Sequence, residues 1–427
     1  MKHPEWSYDA VIYEMNVRQA TAEGTLHAAM GRLAMLREMG VDVIWLMPIY
    51  PIGIEERKGS LGSYYSIRDY CAVNEEFGTM EDFDRFVAEA HRLGMRVLLD
   101  WVANHTARDA RWLSEKPYDW YEHEADGRAA VPWDWSDTAK LNYANREVWN
   151  GQIEAMKFWM AEHAVDGFRC DMAMLVPIEF WQVVRVELQK IKSDVFLLAE
   201  AEEDNLFEGA FNCCYGWQTH HTMCDVAQGK SRANALRDAI HADRRRFPDW
   251  AMRMSFTSNH DENSWSGSEF SRFGEALEAM SALTFLLPHT TPLIYTGQEF
   301  GYDHSFLFFD KDPMPETEPN TYTEFYRKMC AMKHSYSVLR SGEKGGRFIE
   351  IDNNAPDCLM TFVRESEEEC VVAIFNLSPY RIFRDFRTGI YAGEYTDILS
   401  GEQTSLYPHE WGDVEPWSYR ILARRTK

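Results

Sequence analysis

The chain has 427 residues, 45% apolar and 26% charged, with a formal net charge of -24. That length holds one large domain plus a small one, and the acidic balance excludes a phosphate-backbone binder, which needs clustered Lys and Arg. No apolar run reaches membrane-spanning length and no positive-plus-apolar leader precedes Trp6-Ser7-Tyr8, so a cytoplasmic protein without membrane or nucleic-acid partners is expected.

From Val11 to about Gly342 the pattern alternates strand and helix, which implies a parallel sheet. Val11–Val17 reads as the first strand, and Leu26, Met30, Leu33 and Leu36 predict one helix over 25–39 that Gly40 closes. Val41–Pro48 is the second strand; Thr79 caps a helix ending near Gly94. Met95–Asp100 is the third strand, followed by a short Trp-rich insert over 106–145. Helix returns over 148–163, and the fourth and fifth strands end at Asp171 and Glu200. A sixth over 211–215 follows a connection too short for a full helix. A helix over 233–245, a strand over 253–258, a helix over 275–287, a strand over 292–297 and a helix over 322–339 complete the series. Eight such units predict an α/β fold, a TIM (β/α)8 barrel over 1–342, with its site at the strand C-terminal ends. Beyond Gly342 short strands at 348–351, 359–363, 371–375 and 419–423 predict a small antiparallel β-sandwich over 343–427.

Four apolar runs end in acids: Val97-Leu98-Leu99-Asp100, Phe168-Arg169-Cys170-Asp171, Phe196-Leu197-Leu198-Ala199-Glu200, and Phe256 through Asn259-His260-Asp261. Side chains alternate along a strand, so Arg169 and Asp171 share a face. Buried charges are costly unless paired, and four acid-tipped strands describe a catalytic rim rather than a core. Asp171 and Glu200 cap neighbouring strands about 4.7–4.9 Å apart. Retaining glycosidases hold nucleophile and acid at roughly that separation, ~5 Å. Arg169 favours an ionised Asp171, and the apolar run before Glu200 suggests a less polar setting suited to an acid.

These segments resemble the alpha-amylase family of glycosidases (glycoside hydrolase family 13). Asp100-Trp101-Val102-Ala103-Asn104-His105 is similar to its first signature segment, Gly167–Asp171 to the second, Leu198-Ala199-Glu200 to the third and Ser258–Asp261 to the fourth. The resemblance implies Asp171 as nucleophile, Glu200 as general acid/base and Asp261 as the carboxylate that fixes and distorts the sugar. It implies that His105, Arg169 and His260 bind the glucose ring at the cleavage point, with Asp100 as a support beneath and Tyr65 stacking on the ring. Ser66 stands where many members have Asp. A Lys-His pair found after the nucleophile in many endo-acting members is absent from Met172-Ala173-Met174-Leu175, so short malto-oligosaccharides are the expected substrates.

No cofactor and no metal are expected. Asn104 is a calcium ligand in many members, but Asp134, Asp137 and Glu124 lack a persuasive spacing, and Trp112, Trp120, Trp133, Trp135 and Tyr143 offer to anchor the insert by burial instead. The eight cysteines form no C-x-x-C pair and read as free thiols. The adjacent His220 and His221 read as surface or supporting residues. A metal-dependent hydrolase would need a His-x-His pair that Ile12–Asn16 lacks. A non-catalytic relative would have lost carboxylates that this chain keeps. The expectation is an enzyme that hydrolyses alpha-1,4-linked gluco-oligosaccharides with retention, working as monomer or homodimer. The alternative within the family is a transglycosylase or isomerase, which differs in how water is excluded.

Overall fold

The computed structural model describes residues 3–425. Eight parallel strands close into a barrel in sequence order: β1 (Ile12–Met15), β2 (Val43–Leu46), β3 (Arg96–Val102), β4 (Gly167–Asp171), β5 (Phe196–Ala199), β6 (Cys213–Tyr215), β7 (Met252–Ser255) and β8 (Thr290–Tyr295). Every residue of these strands is buried except the half-buried Arg96, as expected of strands covered on both faces. Gly167 opens β4 because β5 passes so close that a Cβ there would lie 2.0 Å from the Phe196 carbonyl oxygen.

Local chemistry sets the helix ends. Thr79 caps Met80–Arg92 through a reciprocal capping box with Asp82, and Gly40 leaves Leu33–Met39 at φ 111°. The single helix expected over 25–39 is two, Leu26–Met30 and Leu33–Met39. Gly31 and Arg32 donate to the carbonyls of Ala28 and Ala29, a tight turn at a residue with poor helix propensity. The short link between β5 and β6 is a 3-10 turn, Asp204–Phe207, and an unexpected helix, Trp217–Ala227, precedes Ala233–Arg246.

The described chain clusters into two compact units. The first comprises residues up to Pro4, Ile12–Tyr215 and Tyr295–Glu318; the second comprises Glu5–Val11, Gly216–Ile294 and the chain from Pro319 onward. In the first, the insert pairs His105–Ala107 with Thr138–Lys140 and buries Trp120, Tyr121, Ala139, Leu141 and Val148 together. Trp112 and Tyr143 pack against that cluster, whereas Trp133 is 61% exposed and anchors nothing by burial.

In the second unit the chain beyond 342 is antiparallel, as expected. Strands Arg347–Glu350, Leu359–Glu365, Glu369–Asn376 and Tyr419–Arg425 form one sheet with Gly393–Asp397 and Gln403–Leu406. A separate ribbon pairs Ile382–Arg387 with His409–Val414. Phe386 of the ribbon shares a core with Val363, Val372, Ile374 and Leu422 of the sheet. The ribbon and the strands Gly393–Asp397 and Gln403–Leu406 were not expected, because their residues are mostly polar and half-buried or exposed. All eight cysteines are free, and five are buried while Cys71 is exposed.

Candidate active site

In the first unit the register of β3, β4 and β5 builds the site. Asp100 pairs with Arg169, and Cys170 with Ala199. Asp171 and Glu200 are therefore the next positions on adjacent strands, where alternation turns both toward the side Arg169 faces. Asp100 is not at a strand tip as expected. β3 continues to Val102, so Asp100 lies one layer below, opposite Arg169.

One guanidinium ties the layer together. Arg169 Nη1 donates to Asp100 Oδ1 at 2.9 Å and to Asp171 Oδ1 at 3.2 Å. Its Nη2 lies 2.8 Å from Glu200 Oε2, an ion pair whose N–H is not aimed for a hydrogen bond. Its Nε donates to the Tyr215 hydroxyl at 3.1 Å. Burial opposes the Arg169 charge, but the Asp100 and Glu200 carboxylates outweigh it and hold the group protonated far above the ordinary range. Asp100, fully buried, also accepts from Trp45 Nε1 at 3.1 Å and the Tyr65 hydroxyl at 3.0 Å. Such a network is costly to bury but rigid once every member is paired.

Glu200 does not occupy the less polar setting expected of it. Besides Arg169, its Oε2 accepts the Met172 N–H at 2.8 Å. Met172 itself sits at φ 42°, a left-handed kink directly after Asp171 that aims this N–H at Glu200. A strand that turns so sharply leaves no signal in hydrophobic pattern alone.

Tyr65 is 9% exposed and stacks on Phe308 at 6.3 Å and 15°. His105 is buried, and burial pulls its imidazole down to about 4, so it is neutral near pH 7. Its ring lies 5.2 Å from that of Trp135, and its Nδ1 is 3.2 Å from Asn104 Nδ2. Tyr65, Asp100, Arg169, Asp171 and Glu200 are thus joined by direct contacts, with His105 in the adjoining insert.

His260 and Asp261 belong to the second unit. They open the helix His260–Ser266, which Asn259 caps by accepting from the Glu262 N–H. His260 is buried, and its Nε2 lies 3.3 Å from Asp261 Oδ2, whose side chain is 44% exposed. Behind them, Arg272 Nη2 donates to Ser258 Oγ at 3.0 Å and Nη1 lies 3.7 Å from Glu262 Oε2. His220 is not a surface residue: it is 1% exposed, stacks on Phe256 and lies 3.5 Å from Glu262. Burial lowers its imidazole pKa, but bonding to Cys224 and Glu262 outweighs this and pushes it up to about 9. Burial raises Glu262, and His220 with Arg272 brings it down to about 2. His221 is exposed.

Sequence reasoning missed Trp45 and Tyr215. Both sit within apolar runs and look like core. The available signal was strand parity, since inward positions next to an inward Arg need polar partners.

The residues around Asn104 are engaged with protein partners. The Asn104 carbonyl oxygen accepts the Leu141 N–H, its side chain faces His105, and Asp137 lies 3.3 Å from Lys58. Among the described residues no group of three or more His, Cys, Asp or Glu is placed to hold a metal, and no helix is long and apolar enough to cross a membrane.

The geometry agrees with comparison to known proteins. The profile of the alpha amylase catalytic domain matches residues 11–138 and 118–334, and that of the alpha amylase C-terminal all-beta domain matches 350–415. The chain belongs to the alpha-amylase family. Within this family of glycoside hydrolases it is 30% identical over 93% of its length to alpha-amylase MalA of Haloarcula japonica, and spans 59% of that protein. It is 23% identical over 99% of its length to alpha-amylase 2 of Dictyoglomus thermophilum, spanning 77% of it. Among solved structures, a noncanonic maltogenic alpha-amylase, AmyB, from Thermotoga neapolitana superposes with a TM-score of 0.88 at 27% identity, covering 98% of this chain and 99% of that one. An alpha-amylase from Lactobacillus plantarum gives 0.87 at 29%, with the same coverage.

Proposed function

We propose that this alpha-amylase family member hydrolyses alpha-1,4-linked gluco-oligosaccharides by double displacement with retention. Asp171 attacks the anomeric carbon and Glu200 protonates the leaving oxygen; Glu200 then deprotonates the water that releases the glycosyl group. The observation that carries this is the shared guanidinium: Arg169 reaches Asp171 and Glu200 at 3.2 and 2.8 Å from neighbouring strands. Strand spacing of about 4.8 Å agrees with the roughly 5–5.5 Å between carboxyl groups in retaining enzymes.

Arg169 keeps Asp171 ionised for attack. We assign the acid/base role to Glu200, on the strand next to that of Asp171. Tyr65 and neutral His105 contact the sugar without adding charge, and Asp261 with His260 grips its hydroxyls. We assign Asp100 to support, since its carboxylate is spent on Arg169, Trp45 and Tyr65.

The preferred substrates are short malto-oligosaccharides, because Met172-Ala173-Met174-Leu175 provides no cationic pair on the leaving-group side. Incubation with maltotriose, maltotetraose and soluble starch at equal glucose content tests this reading. Hydrolysis favouring the oligosaccharides is expected. A strong preference for the polymer overturns the substrate assignment, and longer products from maltotriose identify a transglycosylase instead. Asp171→Asn, Glu200→Gln and Asp261→Asn should each nearly abolish turnover.

A further inference from the structure

Of the tryptophans in the insert, Trp133 alone is described with so much of its side chain in water, at 61% exposed, while Trp120 is 4% exposed. Its backbone is also costly. Trp133 follows Pro132 in a turn closed by the Trp135 N–H on the Pro132 carbonyl at 3.2 Å, and it adopts φ 51°. Gly, Asn and Asp are the usual occupants of such a left-handed turn position, and a bulky side chain there is strained. Strain of this kind persists where the surroundings enforce it, and it gathers at ligand clamps. The residues that follow Trp133 are held in place. The Thr138 N–H and hydroxyl both donate to the Trp135 carbonyl, at 2.9 and 2.8 Å, and Ser136 N–H donates to Asp134 at 2.9 Å.

The exposed ring has a definite place. Trp133 packs edge-on against Trp135, with centroids 4.8 Å apart at 64°, and Trp135 in turn lies 5.2 Å from His105. Three rings thus run from a buried residue of the site out to solvent, and the edge-on contact leaves a face of the outermost ring uncovered. Beside the turn, Lys58 and Asp137 form an ion pair at 3.3 Å, and Asp134 is exposed.

We propose that Trp133 is a binding platform for a glucosyl unit of the oligosaccharide beyond the one held at His105. A sugar has the matching chemistry: an apolar ring face for the indole, and hydroxyls for a polar neighbour in the turn such as the exposed Asp134. A single ring among charged neighbours is far too small for a protein partner, which needs about 800 Å² from each side. The inference rests on the proposed glucan-hydrolysing site, because His105 gives the platform its direction.

The test is calorimetric binding of maltotriose and maltohexaose to the Asp171→Asn protein, with and without a further change at Trp133. Loss of one aromatic stacking contact is expected to weaken maltohexaose by about tenfold in Trp133→Ala, with maltotriose changed by less than twofold. Trp133→Phe should restore most of the loss, and the melting temperature should hold because the side chain is exposed. Equal weakening for both sugars, or none for either, overturns the platform. If Asp171→Asn itself turns over maltohexaose at the native rate, the reading of the site fails instead.

Discussion

Replacing Tyr215 with Phe removes one oxygen and isolates what holds the central arginine in place. The Tyr215 hydroxyl accepts from Arg169 Nε at 3.1 Å, on the edge of the guanidinium opposite none of the carboxylates. It sets the roll of a plane whose other two nitrogens meet Asp100, Asp171 and Glu200. A hydrogen bond to a charged group is worth about 1.5–3 kcal/mol. If that orientation matters equally to the transition state, kcat/KM falls roughly 10- to 150-fold. The ring itself is kept, so its edge contact with Trp45 at 6.5 Å survives and the fold should remain. The assay is steady-state kinetics on maltotetraose beside a thermal melt. The loss should fall mainly on kcat, because Arg169 positions the reacting carboxylates more than it binds remote sugar. Native kinetics from Tyr215→Phe would refute the claim that this hydroxyl orients Arg169.

Three further outcomes follow from the described groups. The folded His105 imidazole lies near 4, below its ordinary 6.5, so its contribution to stability is complete above pH 6.5 and lost as pH falls toward 4. The stability gap between the native chain and His105→Gln should therefore shrink by about 3 kcal/mol across that window, and a pH-independent gap would contradict it. At the start of β4, Asp166 is buried among His91, Lys192 and Arg96 and accepts the Val97 N–H at 2.8 Å. Asp166→Asn should cost roughly 3 kcal/mol of stability with kcat unchanged at 25 °C; a large loss of kcat in protein that is still folded would place this residue in the mechanism. Exhaustive EDTA treatment should leave activity and melting temperature unchanged, whereas a drop restored by calcium would reveal a site built from main-chain oxygens.

The barrel was legible because each strand is a short apolar run, and alternation correctly turned Arg169 and Asp171 to one side. Three of the acid-tipped segments bring Asp100, Asp171 and Glu200 onto Arg169, with Asp100 inside β3 rather than at its tip. What stayed hidden depends on contacts between distant residues. The environment of Glu200 is set by the Met172 kink and by Arg169, two features with no periodic signature. Trp45 and Tyr215 look like core until the closed barrel points them at a guanidinium. Trp133 looked like an anchor, since composition cannot tell a buried tryptophan from one held out on a turn. For His220, which read as surface or supporting, the sequence left the choice open, since a polar side chain is buried only where partners such as Glu262 and the Phe256 carbonyl meet it.

The central claim is attack by Asp171 with Glu200 as acid and base on neighbouring strands. Proton NMR of the product at the first seconds of maltotetraose hydrolysis tests it directly. Double displacement predicts that the alpha anomer forms first and then mutarotates; a beta anomer at the earliest time points would contradict the assignment of both carboxylates.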